Sequence, residues 1–261
     1  VALRVPDGYI SGHANQSRIA TFPLNDPENC LYAEDVIDFA RSKGWFSGED
    51  SEFSFRDAYC PADFGALRGC EARVWSAFNI LSHGWFTFEE TKGNLVTKDA
   101  YSYVDYAMGH NPDNRMPLWI KPAKKVTVKN VADVMRDHYE GTPMDMTTDI
   151  GAGGNALPYR WRPMDFEYEG KKYTNERAIA TQQTGFWFVG QARGNYPDVI
   201  GGILWFGTDD AATSYVTPIY SNTEKVPECF RQGNGNLLSY SATSSFWINN
   251  RISNACYRMY N

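Results

Sequence analysis

Hydrophobic positions cluster most tightly between residues 175 and 220. Two apolar runs there, Phe186–Val189 and Ile200–Phe206, are four to seven residues long and rich in aromatic and β-branched side chains. Runs so short predict strands covered on both faces, because a buried helix would be longer and 3.6-periodic. Asn195–Asp198 carries turn chemistry, which predicts that the two runs form a hairpin. Tyr215–Tyr220 alternates more and supplies a further strand. Helical periodicity appears elsewhere. Ala33–Lys43 places Val36, Ile37, Phe39 and Ala40 on an apolar side and stops at Gly44. Leu67–Leu81 is clearer, with Leu67, Cys70, Val74, Ala77, Phe78 and Leu81 on one face. Thr127–Tyr139 turns Val128, Val131, Val134, Met135 and His138 inward, and Ile248, Ile252, Ala255, Cys256 and Met259 form a last helical stripe.

Shorter extended segments are predicted at Val1–Val5, Tyr9–Ala20, Phe86–Phe88 and Leu118–Ile120. Residues 95–117 read as an excursion or lid with His110–Arg115 at its tip. Asp145–Pro163 is a long glycine- and proline-rich loop, a length that compact domains mostly reserve for function. Strands and helices in mixed order, with antiparallel pairing, predict an α+β fold in a single domain over 1–261.

Composition narrows the function classes. A chain of 261 residues is long enough for a sizeable core. Its net charge of −6 argues against nucleic acid or an anionic membrane as partner. No apolar run approaches the roughly 18 residues of a membrane span. The aromatic share of 15% is high; buried strands absorb such residues, and a sugar-binding surface would use them too. Cys30, Cys60, Cys70, Cys229 and Cys256 show neither a CxxC pair nor metal-ligand spacing. Their odd number argues for free, buried thiols, although Cys60 and Cys70 could pair in an oxidising compartment. Cytoplasmic and exported locations both stay open, as does assembly into a homo-oligomer.

Candidate chemistry is sparse. Gly151–Ala156 fits G-x-G-x-x-A, but no strand precedes it and Pro158 follows, so it lacks the context that holds a pyrophosphate. His13, His83, His110 and His138 lack zinc-site spacing, and nothing in the sequence calls for a metal or organic cofactor. Gly12-His13-Ala14-Asn15-Gln16 puts polar side chains at the end of an apolar strand. That is either an Asx-type turn or the rim of a site, where an Asn amide could donate to a developing oxyanion. Arg177 precedes the first buried strand, and its planar fork suits a carboxylate. Thr181–Thr184 places Gln182 and a second amide in that strand, forming a structural network or lining a site. Arg160 and Arg162, flanking Trp161 on the long loop, are weaker carboxylate candidates. Asp209-Asp210 reads as a solvated turn between strands.

Several segments, in order, carry a resemblance: Pro6–Ile19 (PDGYISGHANQSRI), Asp63–Ser76 (DFGALRGCEARVWS), Met135–Thr147 (MRDHYEGTPMDMT), Pro158–Pro163 (PYRWRP), Asn175–Tyr220 and Val226–Phe230 (VPECF). Together they resemble the PepD-type dipeptidases, cysteine peptidases of the N-terminal-nucleophile hydrolase superfamily related to secernins, over nearly the whole chain. The resemblance implies an αββα sandwich with mostly antiparallel sheets, of which this chain is an internal or C-terminal portion lacking the first strands. It implies dipeptide substrates and a nucleophilic Cys at the mature N-terminus, whose α-amine acts as base. The chain begins with Val1, so the attacking group is expected outside it. Asn15 is then the expected oxyanion donor and Arg177 a helper. His13, Gln182 and Arg160 are expected on the substrate side. An acylase of the same superfamily, of bile-salt or penicillin type, a non-catalytic secernin-like protein and a sugar-binding domain remain the alternatives.

Overall fold

The computed structural model describes residues 1–160 and 165–260. Helices and short antiparallel sheets alternate along it, an α+β composition. The chain falls into two compact units: one runs Val1–Lys125 and takes in a later hairpin, the other begins at Val126 and resumes at Glu176.

The first unit opens with β1 (Ala2–Leu3), β2 (Ile10–Ser11), β3 (Cys30–Leu31), α1 (Val36–Ser42) and α2 (Phe55–Tyr59). It continues through α3 (Phe64–Ala66), α4 (Ala72–Ser82), β4 (Trp85–Thr91), β5 (Asn94–Asp99), α5 (Val104–Ala107) and β6 (Trp119–Ile120), and includes the hairpin β7 (Asp165–Tyr168)–β8 (Lys171–Thr174). β1 pairs with β3, β2 with β6 and β4 with β5, all antiparallel. α1 buries Val36, Ile37 and Ala40 against Phe53 and leaves Phe39 exposed. Residues 95–117, expected as an excursion, supply the buried Tyr103, Tyr106, Ala107 and Met116. The Trp75 indole N–H is tied to the Ala100 carbonyl at 2.8 Å.

The helix expected over Leu67–Leu81 is longer than its pattern. The Asp63 carboxylate caps its start by accepting from the Ala66 N–H at 2.7 Å, and α3, a π turn at Leu67–Glu71 and α4 run on without a break to His83, at φ +54°. The wider π turn shifts the phase of the inner face. Cys70 is left half-buried, and the charged Glu71 takes the innermost position beside Leu67, Val74, Trp75 and Phe78.

Glu71 can sit there because Arg18 reaches it. The Arg18 guanidinium donates from Nε to both Glu71 oxygens, at 3.2 and 3.1 Å. Its remaining donors go to the carbonyls of Leu118 at 3.0 Å, Pro117 at 2.8 Å and Gly12 at 3.4 Å. Two charges removed from water are tolerated when their other hydrogen-bonding groups are satisfied in this way. The pair therefore joins the helix, the entry to β6 and the end of β2. Gly12 permits the close approach: a Cβ there would lie 2.9 Å from Val74 Cγ1.

The second unit holds α6 (Val128–Met135), β9 (Phe186–Ala192), α7 (Asp198–Gly201), β10 (Gly202–Thr208), β11 (Thr217–Tyr220) and α8 (Ser245–Cys256). A reciprocal capping box between Thr127 and Asn130 starts α6. The hairpin expectation holds, since β9 pairs antiparallel with β10 (Phe188 opposite Phe206), and β11 adds to β10 (Ile219 opposite Leu204). Covering on both faces does not hold. Trp187, Val189 and Trp205 pack with Ala132, Val128, Val131 and Met135 of α6. On the opposite face Phe186 is 61% exposed and Phe188 52%. The apolar runs are continuous in sequence, but only alternate residues meet α6.

α8 inverts its pattern. Ser245, Asn249 and Ser253 are its buried residues, while Ile248, Ile252 and the following Met259 are exposed. The polar stripe is drawn in by β10: the Asn249 amide donates to the Thr208 carbonyl and hydroxyl, each at 3.2 Å, and the Ser245 and Thr208 hydroxyls are 2.9 Å apart.

Replacing Glu71 by Ala strands the buried Arg18 charge and is expected to lower unfolding free energy by about 3–5 kcal/mol. Glu71→Gln, which keeps an acceptor, should cost less. Denaturant unfolding of both variants checks this; equal, small losses would show that the pair does not anchor the unit.

Candidate functional site

The polar run after β2 is a bend whose centre, Asn15, has φ +65°. Asn tolerates this left-handed conformation better than most side chains. Asn15 and His13 are exposed, while Gln16 and Arg18 beside them are buried, so the run alternates between solvent and core. The Gln16 amide donates to the Cys60 carbonyl. Arg73, near the start of α4, donates from Nη2 to Asn15 Oδ1 at 2.8 Å and to the Ala14 carbonyl at 3.4 Å; its Nε donates to the Gly69 carbonyl at 2.8 Å. Arg73 and Glu71 were missed in the sequence. Glu71 had a signal, a lone charge at helical spacing between Leu67 and Val74. Arg73 had none, because its partner lies 58 residues away.

The other expected site residues lie in the second unit. Arg177 is exposed, and its guanidinium has no hydrogen-bond partner among the described residues, while its carbonyl accepts from the Tyr139 hydroxyl at 2.6 Å. Gln182 lies in a turn before β9, not within the strand, and its amide donates to the Arg160 carbonyl at 2.9 Å. Arg160 is committed to its own loop. Its guanidinium pairs with the Asp149 carboxylate and donates to the carbonyls of Leu157 and Tyr159, each at 3.0 Å, and Met146 at 3.4 Å. Gly151 makes room for it, since a Cβ there would lie 2.5 Å from Arg160 Nε. Gly151 to Asn155 lie in a 3₁₀ segment, Ile150–Asn155, that is interrupted at Gly153 and followed by Ala156 in a left-handed conformation. Arg162 and Trp161 lie outside the described residues.

Asp209 and Asp210 correct an expectation. They do not form a solvated turn: Asp209 is 3% exposed and Asp210 fully buried. The hydroxyl of Tyr257, the residue that follows α8, donates to Asp210 Oδ2 at 2.6 Å, and the Thr213 hydroxyl reaches the same oxygen at 3.2 Å. The carboxylate raises the Tyr257 hydroxyl pKa further, after burial, the larger cause. Asp209, at φ +69°, accepts from the Asn250 amide at 3.3 Å, and its Oδ2 has no partner among the described residues. Burial pushes the Asp209 carboxyl up, against the Asn250 amide and the Asp210 backbone N–H, which both lower it; the Asp210 charge adds a smaller upward push. The signal that misled is local: paired acids after a strand usually mark solvent, and the covering helix arrives 35 residues later.

All five cysteines are free, but only Cys30 is buried, and burial raises its thiol pKa. His138 is a core residue whose Nδ1 lies 3.0 Å from Glu140 Oε1, while its Nε2 has no partner among the described residues. His83 caps α4, and His110 is exposed beside Asp105. Among the described residues no three His, Cys, Asp or Glu side chains are placed to hold a metal ion, and no helix is long and apolar enough to cross a membrane.

The sequence matches peptidase family C69 over residues 1–261, and the chain belongs to that family. Among curated proteins it is 24% identical to a probable dipeptidase of Latilactobacillus sakei, over 89% of this chain and 40% of that protein. A probable dipeptidase of Salmonella dublin is 23% identical, over 84% of this chain and 41% of its own length. Dipeptidase A of Lactobacillus helveticus is 21% identical over the whole chain and 46% of its own length. The chain thus spans less than half the length of these relatives.

The Asp209 shift has a defined sign. Its folded pKa lies above the unfolded value, so the folded state holds the extra proton between the two, and stability falls as pH rises through that window. Asp209→Asn should therefore raise the melting temperature at pH 7, by the equivalent of about 1 kcal/mol, and the gain should shrink toward pH 4. A pH series of thermal melts measures this; a gain that grows in acid would contradict the assignment.

Proposed function

We propose that this chain is part of a cysteine-type dipeptidase that hydrolyses the amide bond of dipeptides through an acyl-enzyme. The observation that carries the reading is the match to peptidase family C69 across the full chain, with relatives named as dipeptidases. The attacking group in this reading is an N-terminal cysteine outside the chain. Within the chain, Cys30 is buried with a raised thiol pKa, and no cysteine is hydrogen-bonded through its thiol to a base among the described residues.

The α-amine of that cysteine, with an ordinary pKa of about 8, takes the thiol proton. Sulfur adds to the scissile carbonyl carbon, and its oxygen becomes an oxyanion. The Asn15 amide is exposed at a fixed bend and donates to that oxygen. Collapse breaks the C–N bond, the departing amine takes the proton from the α-ammonium, and water then hydrolyses the thioester. Arg177, exposed and with no hydrogen-bond partner at its guanidinium among the described residues, suits a carboxylate such as a dipeptide offers; His13, also exposed, stays a substrate-side candidate. Arg160 and Gln182 are spent on the loop, and we assign them to holding it. The apolar outer face of the β9–β11 sheet supports placing this sheet in an αββα sandwich, where a second sheet would cover Phe186 and Phe188.

Full-length protein assayed on dipeptides and on acyl amides tests the reading. Dipeptides should turn over in a thiol-dependent reaction, and the isolated chain should be inactive. A preference for acyl amides would move the protein to the acylases. Asn15→Ala should lower kcat about 100-fold with an unchanged melting temperature; wild-type turnover in that variant would remove Asn15 from the site.

A further inference from the structure

We infer that Arg73 is a positioning residue that fixes which end of the Asn15 amide faces the substrate. The inference rests on Asn15 as oxyanion donor. A side-chain amide has one accepting and one donating end, and rotation by half a turn exchanges them. Only the N–H end stabilises an oxyanion; the C=O end repels it. On an exposed bend an Asn would sample both.

Arg73 removes that freedom. A guanidinium has donors only, so the end of Asn15 that meets Arg73 Nη2 at 2.8 Å must be Oδ1. That leaves Nδ2 as the end that does not meet Arg73, on a residue that is exposed. The cation behind the amide also polarises it, which makes its N–H a stronger donor to developing negative charge. A free arginine could not hold such an orientation, but Arg73 is itself held. Its Nε donates to the Gly69 carbonyl at 2.8 Å, and Gly69 lies in the π turn that carries Glu71. Glu71 is bound by Arg18, which donates to the Gly12 carbonyl at the other end of the same bend. Asn15 is thus braced from both sides by one helix: through Arg18 at Glu71 and directly by Arg73, two residues further on. π turns recur at functional sites because they displace backbone groups in this way.

The experiment is a double-mutant cycle in the full-length enzyme with a dipeptide substrate, with melting temperatures recorded for every variant. Arg73→Ala should lower kcat about tenfold, while KM stays within about twofold. Arg73→Lys, which can still donate to Oδ1, should recover part of the loss, and Arg73→Met, which keeps the stem without the donor, should not. Adding Arg73→Ala to Asn15→Ala should cost nothing further, since the amide it orients is gone. If Asn15→Ala impairs turnover but Arg73→Ala and Arg73→Met do not, or if the two losses multiply, the positioning role is wrong and the oxyanion reading stands. If Asn15→Ala is as active as wild type, the oxyanion reading itself fails. Should Arg73→Ala not fold, the Lys and Met pair decides the question.

Discussion

The ion pair between Arg18 and Glu71 is the constraint on which the first unit turns. Neither charge is stable alone in that core, and neither could be replaced singly without leaving the other stranded. Together they give Arg18 acceptors in three places, so that a helix, a strand entry and a bend share one centre. Hydrophobic packing of Leu67, Val74 and Phe78 brings the helix to the sheet, but such packing has no direction. The guanidinium fork has direction, and it settles where the bend at Asn15 lies along the helix. The role proposed for Asn15, meeting a short-lived charge, calls for that kind of support, because a displacement of about an ångström is enough to lose most of the benefit.

The two units solve the problem of buried polarity differently. In the first, opposite charges meet and share backbone acceptors. In the second, Asp209 and Asp210 are like charges side by side, and neutral donors from α8 and Tyr257 do the compensating. Asp210 is well supplied. Asp209 is not: its backbone is left-handed, and burial raises its carboxyl pKa although the Asn250 amide opposes the shift. Strain and a perturbed proton affinity thus fall on one residue while its neighbour carries the attachment.

Much of the fold was legible because it rests on local periodicity. The paired strands β9 and β10, the helix around Val74 and the helix that begins after Thr127 follow from spacing and turn chemistry alone. What was not legible depends on partners far along the chain. The strand runs looked buried on both sides because composition counts residues without assigning faces, and only the covering helix decides which alternate positions are hidden. The stripe Ile248, Ile252 and Met259 looked like a core face because apolar residues usually are; the acceptors of β10 and the acidic pair claimed the opposite side. In the candidate site, Asn15 could be singled out from its neighbours, whereas its contact with Arg73 joins segments whose separation encodes nothing. Arg160 shows the converse error: a well-placed arginine on a glycine-rich loop invites a ligand, and here the loop itself is the ligand.

The inverted helix α8 also sets how this part of the molecule responds to temperature. Burying apolar surface carries a large heat-capacity change and a stability that bends with temperature, whereas burying polar surface contributes with the opposite sign. Docking through Ser245, Asn249 and Ser253 buries polar side chains, and Tyr257 adds a hydrogen bond and ring contacts to Tyr159 and Tyr260. Such polar contacts have little of the weakening on cooling that hydrophobic contacts show. The last helix therefore adds little to the curvature of stability with temperature, while the sheet against α6 supplies the curved dependence of an ordinary core.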